Sequence, residues 1–299
     1  MSTEARSNYG IQVLEIVTNF LAALLALGVA CYAQNSQRET KTGGFEKKVD
    51  IGGRSLFISC TPQIEGKPTV VFEAGMNGAS DTWDKVRPEV EKFARVCVYD
   101  RAGLGKSDPS GRQTATAENI VNDLNSLLTK GKVSGPYVLV GHSFGGLTVR
   151  LFAAKHPSMV KGLVLVDAVH EQETEKWLKI IPPEIRRQME AGGAMTARGG
   201  ESLDLRESDR QMKSVNWRTD VPLIVIARGR ASFSTENFPP ALREFAPQGE
   251  SLRIQMQKEL SQRSPRGKLV FAEKSGHFVQ NDEPQIVVDA IKEVIVSIK

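Results

Sequence analysis

The sequence predicts an α/β protein: a mostly parallel central sheet with helices on both faces. Apolar runs of strand length recur along the chain, and helical patterns separate them. The runs are continuous rather than alternating, as strands buried on both faces require.

In chain order the strand candidates are RSLFISC (54–60), TVVFEAG (69–75), RVCVYD (95–100), YVLVG (137–141), GLVLVD (162–167), PLIVIAR (222–228) and KLVFAE (268–273). Apolar residues three and four apart predict helices over 116–130, after Ser143 and over 284–299. Strands alternating with helices imply right-handed crossovers. One interval breaks the rhythm, because more than fifty residues separate the strand ending at Asp167 from the one starting near Pro222. A crossover needs far fewer. An insertion at this carboxyl edge hangs over the place where α/β folds bind ligands, so 168–218 is read as a helical cap.

At 299 residues the chain is large enough for one sizeable core, and 45–299 is expected to form a single domain carrying that insertion. A formal charge of +4, with Lys and Arg interleaved with Asp and Glu, gives no footprint for nucleic acid. The three cysteines, Cys31, Cys60 and Cys97, have no metal-ligand spacing, and their odd number is no disulfide framework. Cys60 and Cys97 are read as inert packing residues of core strands.

Residues 1–44 read differently. FLAALLALGVACYA (20–33) is a near-continuous apolar run of signal-peptide length, with small residues at Gly28, Ala30 and Ala33. Polar QNSQRETKTGG follows and separates it from the body. The expectation is a domain exported, or anchored at a membrane, through this segment, on the extracytoplasmic side.

Gly141-His142-Ser143-Phe144-Gly145 is G-x-S-x-G between a buried strand and a helix. That turn raises a serine hydroxyl above a sheet at a helix N-terminus. A serine needs a base within hydrogen-bond reach, and there are four histidines. His142 is expected to point away from the serine, and His156 to lie at a helix end. His277, on the loop after the last strand, is the preferred base, with His170 as rival.

With these residues in view, the chain resembles the α/β-hydrolase fold family. The matching stretches are VVFEAGMNGASDTW, VYDRAGLGKSD, LVGHSFGG, GLVLVDAVHEQ and EKSGHFVQNDEP, which follow the family's order between residues 69 and 284. The resemblance implies a Ser, acid, His order that fits Ser143 and His277. It implies oxyanion donors in the N–H groups of Met76 and Phe144. Glu73 stands where many members carry the histidine of a His-Gly pair, and Asp100 and Arg101 are expected in a structural turn near the site.

The acid departs from the commonest family pattern. VIARGRASFSTENFPP (225–240) holds no aspartate, only Glu236, whereas Asp167 fills the place used by members whose acid follows the preceding strand. Asp167 is preferred and Glu236 is the alternative. The resemblance thus implies a serine hydrolase acting on an ester or related acyl bond of a small to medium substrate through an acyl-enzyme, with no metal or organic cofactor. The alternatives are a peptidase, thioesterase or lyase variant, and a non-hydrolytic ligand-binding or receptor-like member.

Overall fold

The computed structural model describes residues 38–39, 43–184, 186–187, 195–196, 201–215, 217–231 and 240–298. The apolar run at 20–33 and the alternative acid Glu236 lie outside the described residues.

The strands are β1 (Arg38–Glu39), β2 (Phe45–Asp50), β3 (Ser55–Cys60), β4 (Thr69–Glu73), β5 (Arg95–Tyr99), β6 (Tyr137–His142), β7 (Val160–Val166), β8 (Met195–Thr196), β9 (Ser202–Leu203), β10 (Leu223–Arg228) and β11 (Gly267–Ala272). The helices are α1 (Arg87–Val90), α2 (Ala117–Lys130), α3 (Phe144–Lys155), α4 (Glu173–Ile180), α5 (Leu205–Ser214), α6 (Ala246–Ser261), α7 (Val279–Asp282) and α8 (Pro284–Ser297). All of the predicted strands are present, with ends shifted by one or two residues.

Nine strands form one sheet in the order β1-β2-β3-β5-β4-β6-β7-β10-β11. The edge from β1 through β2 and β3 to β5 is antiparallel. From β5 to β11 every pairing is parallel. Side chains alternate between two cores, as the pleat demands. Val71, Leu139, Leu163 and Leu165 pack with Leu124 and Leu127 of α2 and Leu147 and Leu151 of α3. Val70, Phe72, Val138, Val140 and Val164 pack on the other face with Val287, Ile291 and Val294 of α8. Both faces are therefore buried, which is why these strands read as unbroken apolar runs. Thr116 caps α2, accepting from the Asn119 N–H while the Asn119 side chain accepts from the Thr116 N–H.

Two strands of the sheet were not anticipated from the sequence. β2, FEKKVD, alternates exposed residues with half-buried or buried ones at the antiparallel edge, so it offers no apolar run. β1 lies inside the expected linker and pairs with β2. The cysteine reading is corrected as well. Cys60 and Cys97 face each other across the β3/β5 register and form a disulfide. Antiparallel pairing brings directly opposed residues close, so residues far apart in sequence become neighbours.

The insertion after Asp167 contributes α4, the antiparallel pair β8–β9 and α5. α5 sits on the N-terminus of α2, where Ser208 Oγ accepts from Ala117 N at 2.9 Å and Gln211 Oε1 from Glu118 N at 2.9 Å. Its polar side chains satisfy N–H groups that the first turn of α2 leaves open. Among the described residues, no helix is long and apolar enough to cross a membrane.

Candidate active site

Ser143 links β6 to α3 with φ +53°, a left-handed conformation that costs energy in a non-glycine residue. The surroundings enforce it. Ser143 N donates to Val166 O at 3.0 Å, and its carbonyl accepts from Gly146 N at 2.9 Å and Val169 N at 3.0 Å. Glycine at 145 is a packing necessity, since a Cβ there would lie 2.5 Å from the carbonyl oxygens of both Glu73 and Ala74. The G-x-S-x-G spacing thus records a turn wedged onto the ends of β4 and β7.

Asp167 follows β7, also at positive φ, with its side chain fully buried. Its Oδ2 accepts from His277 Nδ1 at 2.5 Å. Oδ1 accepts from the Arg228 N–H at 3.2 Å and Oδ2 from Arg228 Nη1 at 3.0 Å, and Arg253 of α6 forms a second ion pair with the carboxylate. Arg228 ends β10, where commoner family members place the acid just beyond; here that strand end supplies a cation that holds the carboxylate following β7. Arg228 also donates to Glu250 at 2.7 Å. A buried carboxylate surrounded by donors in this way has little freedom to turn from the histidine.

His277 stands on the loop between β11 and α7. Lys274 N and Ser275 Oγ both donate to Glu283 at 2.8 Å, and Gly276 N donates to Asp282 at 2.9 Å. Because Nδ1 faces Asp167, the neutral imidazole keeps its lone pair on Nε2. Burial first, then the guanidinium groups of Arg253 and Arg228, push the His277 pKa down to about 3.

His142 does not point away from the site as expected. Its ring lies 4.6 Å from that of His277, and its Nε2 donates to the His277 carbonyl at 2.9 Å. Burial, with His277 and Arg253 nearby, lowers its pKa to about 3, so it is a neutral prop under the His277 loop. Exposed Phe278 lies 5.4 Å from both rings. His170, the rival base, is fully buried in the insertion, with Nδ1 accepting from Gln172 N at 3.1 Å and Nε2 3.5 Å from Glu259. His156 caps α3 at the end away from Ser143, against Phe152.

The structure brings Asp167 and His277 together beside the Ser143 turn. The Ser143 hydroxyl makes no hydrogen bond among the described residues, a contact that in ligand-free enzymes often tightens only when substrate binds. The N–H groups of Met76 and Phe144 are likewise unspent in hydrogen bonds among the described residues. Gly75, preceding Met76, abuts the turn closely enough that a Cβ on it would lie 3.1 Å from Ser143 Cβ. Arg228 and Arg253 were not found from the sequence. Neither lies in a motif, and only the fold shows that their guanidinium groups converge on Asp167.

Parallel strands that deliver serine, carboxylate and histidine to one sheet edge in that chain order define the α/β-hydrolase class, and the signature described as alpha/beta hydrolase fold matches residues 68–217. The chain belongs to that family. It is 29% identical over 255 residues to the protein YqjL of Bacillus subtilis, covering 85% of this chain and 93% of that one. The probable transporter efuK of Hormonema carpetanum is 34% identical over 128 residues, 41% of this chain but 18% of that protein, so this likeness is confined to part of a much longer chain. Among solved structures, mouse alpha/beta hydrolase domain-containing protein 10 superposes with a TM-score of 0.62 at 16% identity, over 84% of this chain and 98% of that one, a likeness of fold.

Proposed function

We propose that this hydrolase is a serine esterase that cleaves ester or related acyl bonds of small to medium substrates through an acyl-enzyme. The reading rests above all on the Asp167–His277 hydrogen bond of 2.5 Å, formed beside a serine held at positive φ. Ser143 Oγ attacks the acyl carbon while His277 Nε2 takes its proton, and Asp167 fixes the ring and favours the imidazolium that forms. The tetrahedral oxyanion is received by the N–H groups of Met76 and Phe144. Collapse expels the alcohol, protonated by His277, and a water molecule activated by the same nitrogen then releases the acid and regenerates Ser143. Exposed Phe278, beside both histidine rings, offers an apolar surface to the acyl or leaving group.

On this reading residues 45–299 are the catalytic domain and the apolar leader exports or anchors it. The Cys60–Cys97 disulfide supports that location, because such bonds persist in oxidising compartments. A fluorophosphonate probe tests the chemistry. It is expected to label the wild-type chain at Ser143 and to leave Ser143→Ala, folded to the same circular-dichroism spectrum, unlabelled. An unlabelled wild-type chain that still binds acyl esters would instead favour the non-hydrolytic, ligand-binding alternative.

A further inference from the structure

The loop Gly75–Gly78, which carries the Met76 N–H, is gripped by side chains that the acyl-transfer chemistry does not use. Arg101 Nη1 donates to Ala74 O at 2.7 Å and Nη2 to Gly75 O at 2.6 Å. Glu201 Oε2 accepts from the Asn77 N–H at 3.0 Å. The same carboxylate holds Arg101, with Nε to Oε1 at 2.7 Å and Nη2 to Oε2 at 2.8 Å, while Arg101 Nη1 also donates to Glu73 at 2.5 Å. Tyr99 donates to the other oxygen of Glu73. All four side chains are buried.

The consequence follows from peptide geometry. The Gly75 carbonyl and the Met76 N–H belong to one planar trans peptide and point in opposite directions, so fixing the oxygen on Arg101 aims the N–H away from it. The next peptide, Met76 to Asn77, is fixed through its N–H by Glu201. Met76 is thus clamped on both sides, and Asn77 is held at φ +59°. A clamp of this kind makes an oxyanion donor preorganised, which is the source of its catalytic value.

Glu201 does not belong to the sheet. It lies in the insertion, immediately before β9, and its neighbour Ser202 accepts from Ala115 N at 2.8 Å. Two buried carboxylates on one guanidinium are costly to desolvate, and an apolar cluster would fill the same space at less cost. Burial opposes the Arg101 charge, but Glu201 and Glu73 outweigh it and raise its pKa. The charged arrangement is spent on backbone groups of the loop.

We propose that Glu201 is a positioning residue: through Arg101 and the Asn77 N–H it locks the oxyanion loop, so that the insertion preforms the site. The proposal rests on the acyl-transfer reading of Ser143, and its test separates the two. In the full-length chain, Glu201→Ala is expected to lower kcat for p-nitrophenyl butyrate by about 10²-fold while KM changes little. Glu201→Gln keeps an oxygen for the Asn77 N–H and should recover most of that loss. Amide hydrogen exchange at Asn77, read without substrate, should be protected in the wild type and Glu201→Gln and exposed in Glu201→Ala. Should Glu201→Ala fail to fold, Glu201→Asp keeps the charge on Arg101 yet ends a methylene short of Asn77, and it carries the same expectation.

Unchanged kcat with unchanged exchange, or a loss confined to KM, would overturn the lock. If the wild-type chain turns over no ester, the esterase reading has failed. The exchange comparison still decides the lock: exposure confined to Glu201→Ala upholds it, and equal exchange overturns it.

Discussion

Asn77, Ser143 and Asp167 are three of the four non-glycine residues at positive φ among the described residues, and all three stand at the candidate site. Backbone strain of this kind persists only where the surroundings over-determine it. Here the surroundings are a Glu201 carboxylate, the end of β7 and a pair of arginines. The arginines have a measurable effect. On the proposed mechanism His277 acts as a base only when neutral, and burial, Arg253 and Arg228 push its pKa down to about 3. Protonation, and with it loss of kcat/KM, is therefore deferred to acid pH, and the wild-type chain should keep nearly full kcat/KM for p-nitrophenyl butyrate down to about pH 5. Arg253→Met removes one of the cations and should move the acid limb upward, toward the ordinary histidine value. An acid limb near that ordinary value in the wild type would show that the arginines do not govern His277.

Elements differ in how openly their sequences announce them. Residues 137–141 of β6 and 162–166 of β7 are unbroken apolar runs because both faces are buried, and α8 shows its apolar stripe at Val287, Ile291 and Val294. α6 announces nothing, since the stripe it buries includes Gly249, Arg253 and Gln257. It is polar because it faces Asp167 and the start of the insertion, where Gln257 donates to Ala168 O at 2.7 Å. The helix whose Arg253 pairs with Asp167 is thereby hidden from a search for apolar periodicity. The Cys60–Cys97 link was hidden differently, because the antiparallel contact of β3 with β5 skips β4 in sequence. That link closes a long loop across the sheet edge, and replacing both cysteines by alanine should lower unfolding stability by about 2–4 kcal/mol, read by urea titration of oxidised protein. A stability equal to the wild type's would mean the bridge is not formed in solution.

For the whole molecule, the fold class and the serine turn were legible because each is marked by a local pattern, an apolar run or a glycine spacing, and the polar loops after β7 and β11 pointed to Asp167 and His277, which the structure brings within hydrogen-bond distance. The partners of these groups were not legible, since Arg228, Arg253 and Glu201 reach the site from an element end, a helix and the insertion, and only the assembled sheet brings them together. Because β1 contributes a two-residue pairing at the sheet edge, a chain lacking residues 1–40 should fold, melt close to the full-length protein and turn over p-nitrophenyl butyrate as the full-length chain does. Unfolding of that shortened chain would show that residues 1–40 contribute to the fold and would remove the basis for proposing export.

The triad is tested most directly by kcat for p-nitrophenyl butyrate in Asp167→Asn beside Glu236→Gln. Loss of the carboxylate that orients His277 should lower kcat by about 10³- to 10⁴-fold with the fold intact, while Glu236→Gln stays near the wild type. Full activity in Asp167→Asn, or a loss confined to Glu236→Gln, would contradict the assignment of Asp167 and the acyl-transfer site built around it.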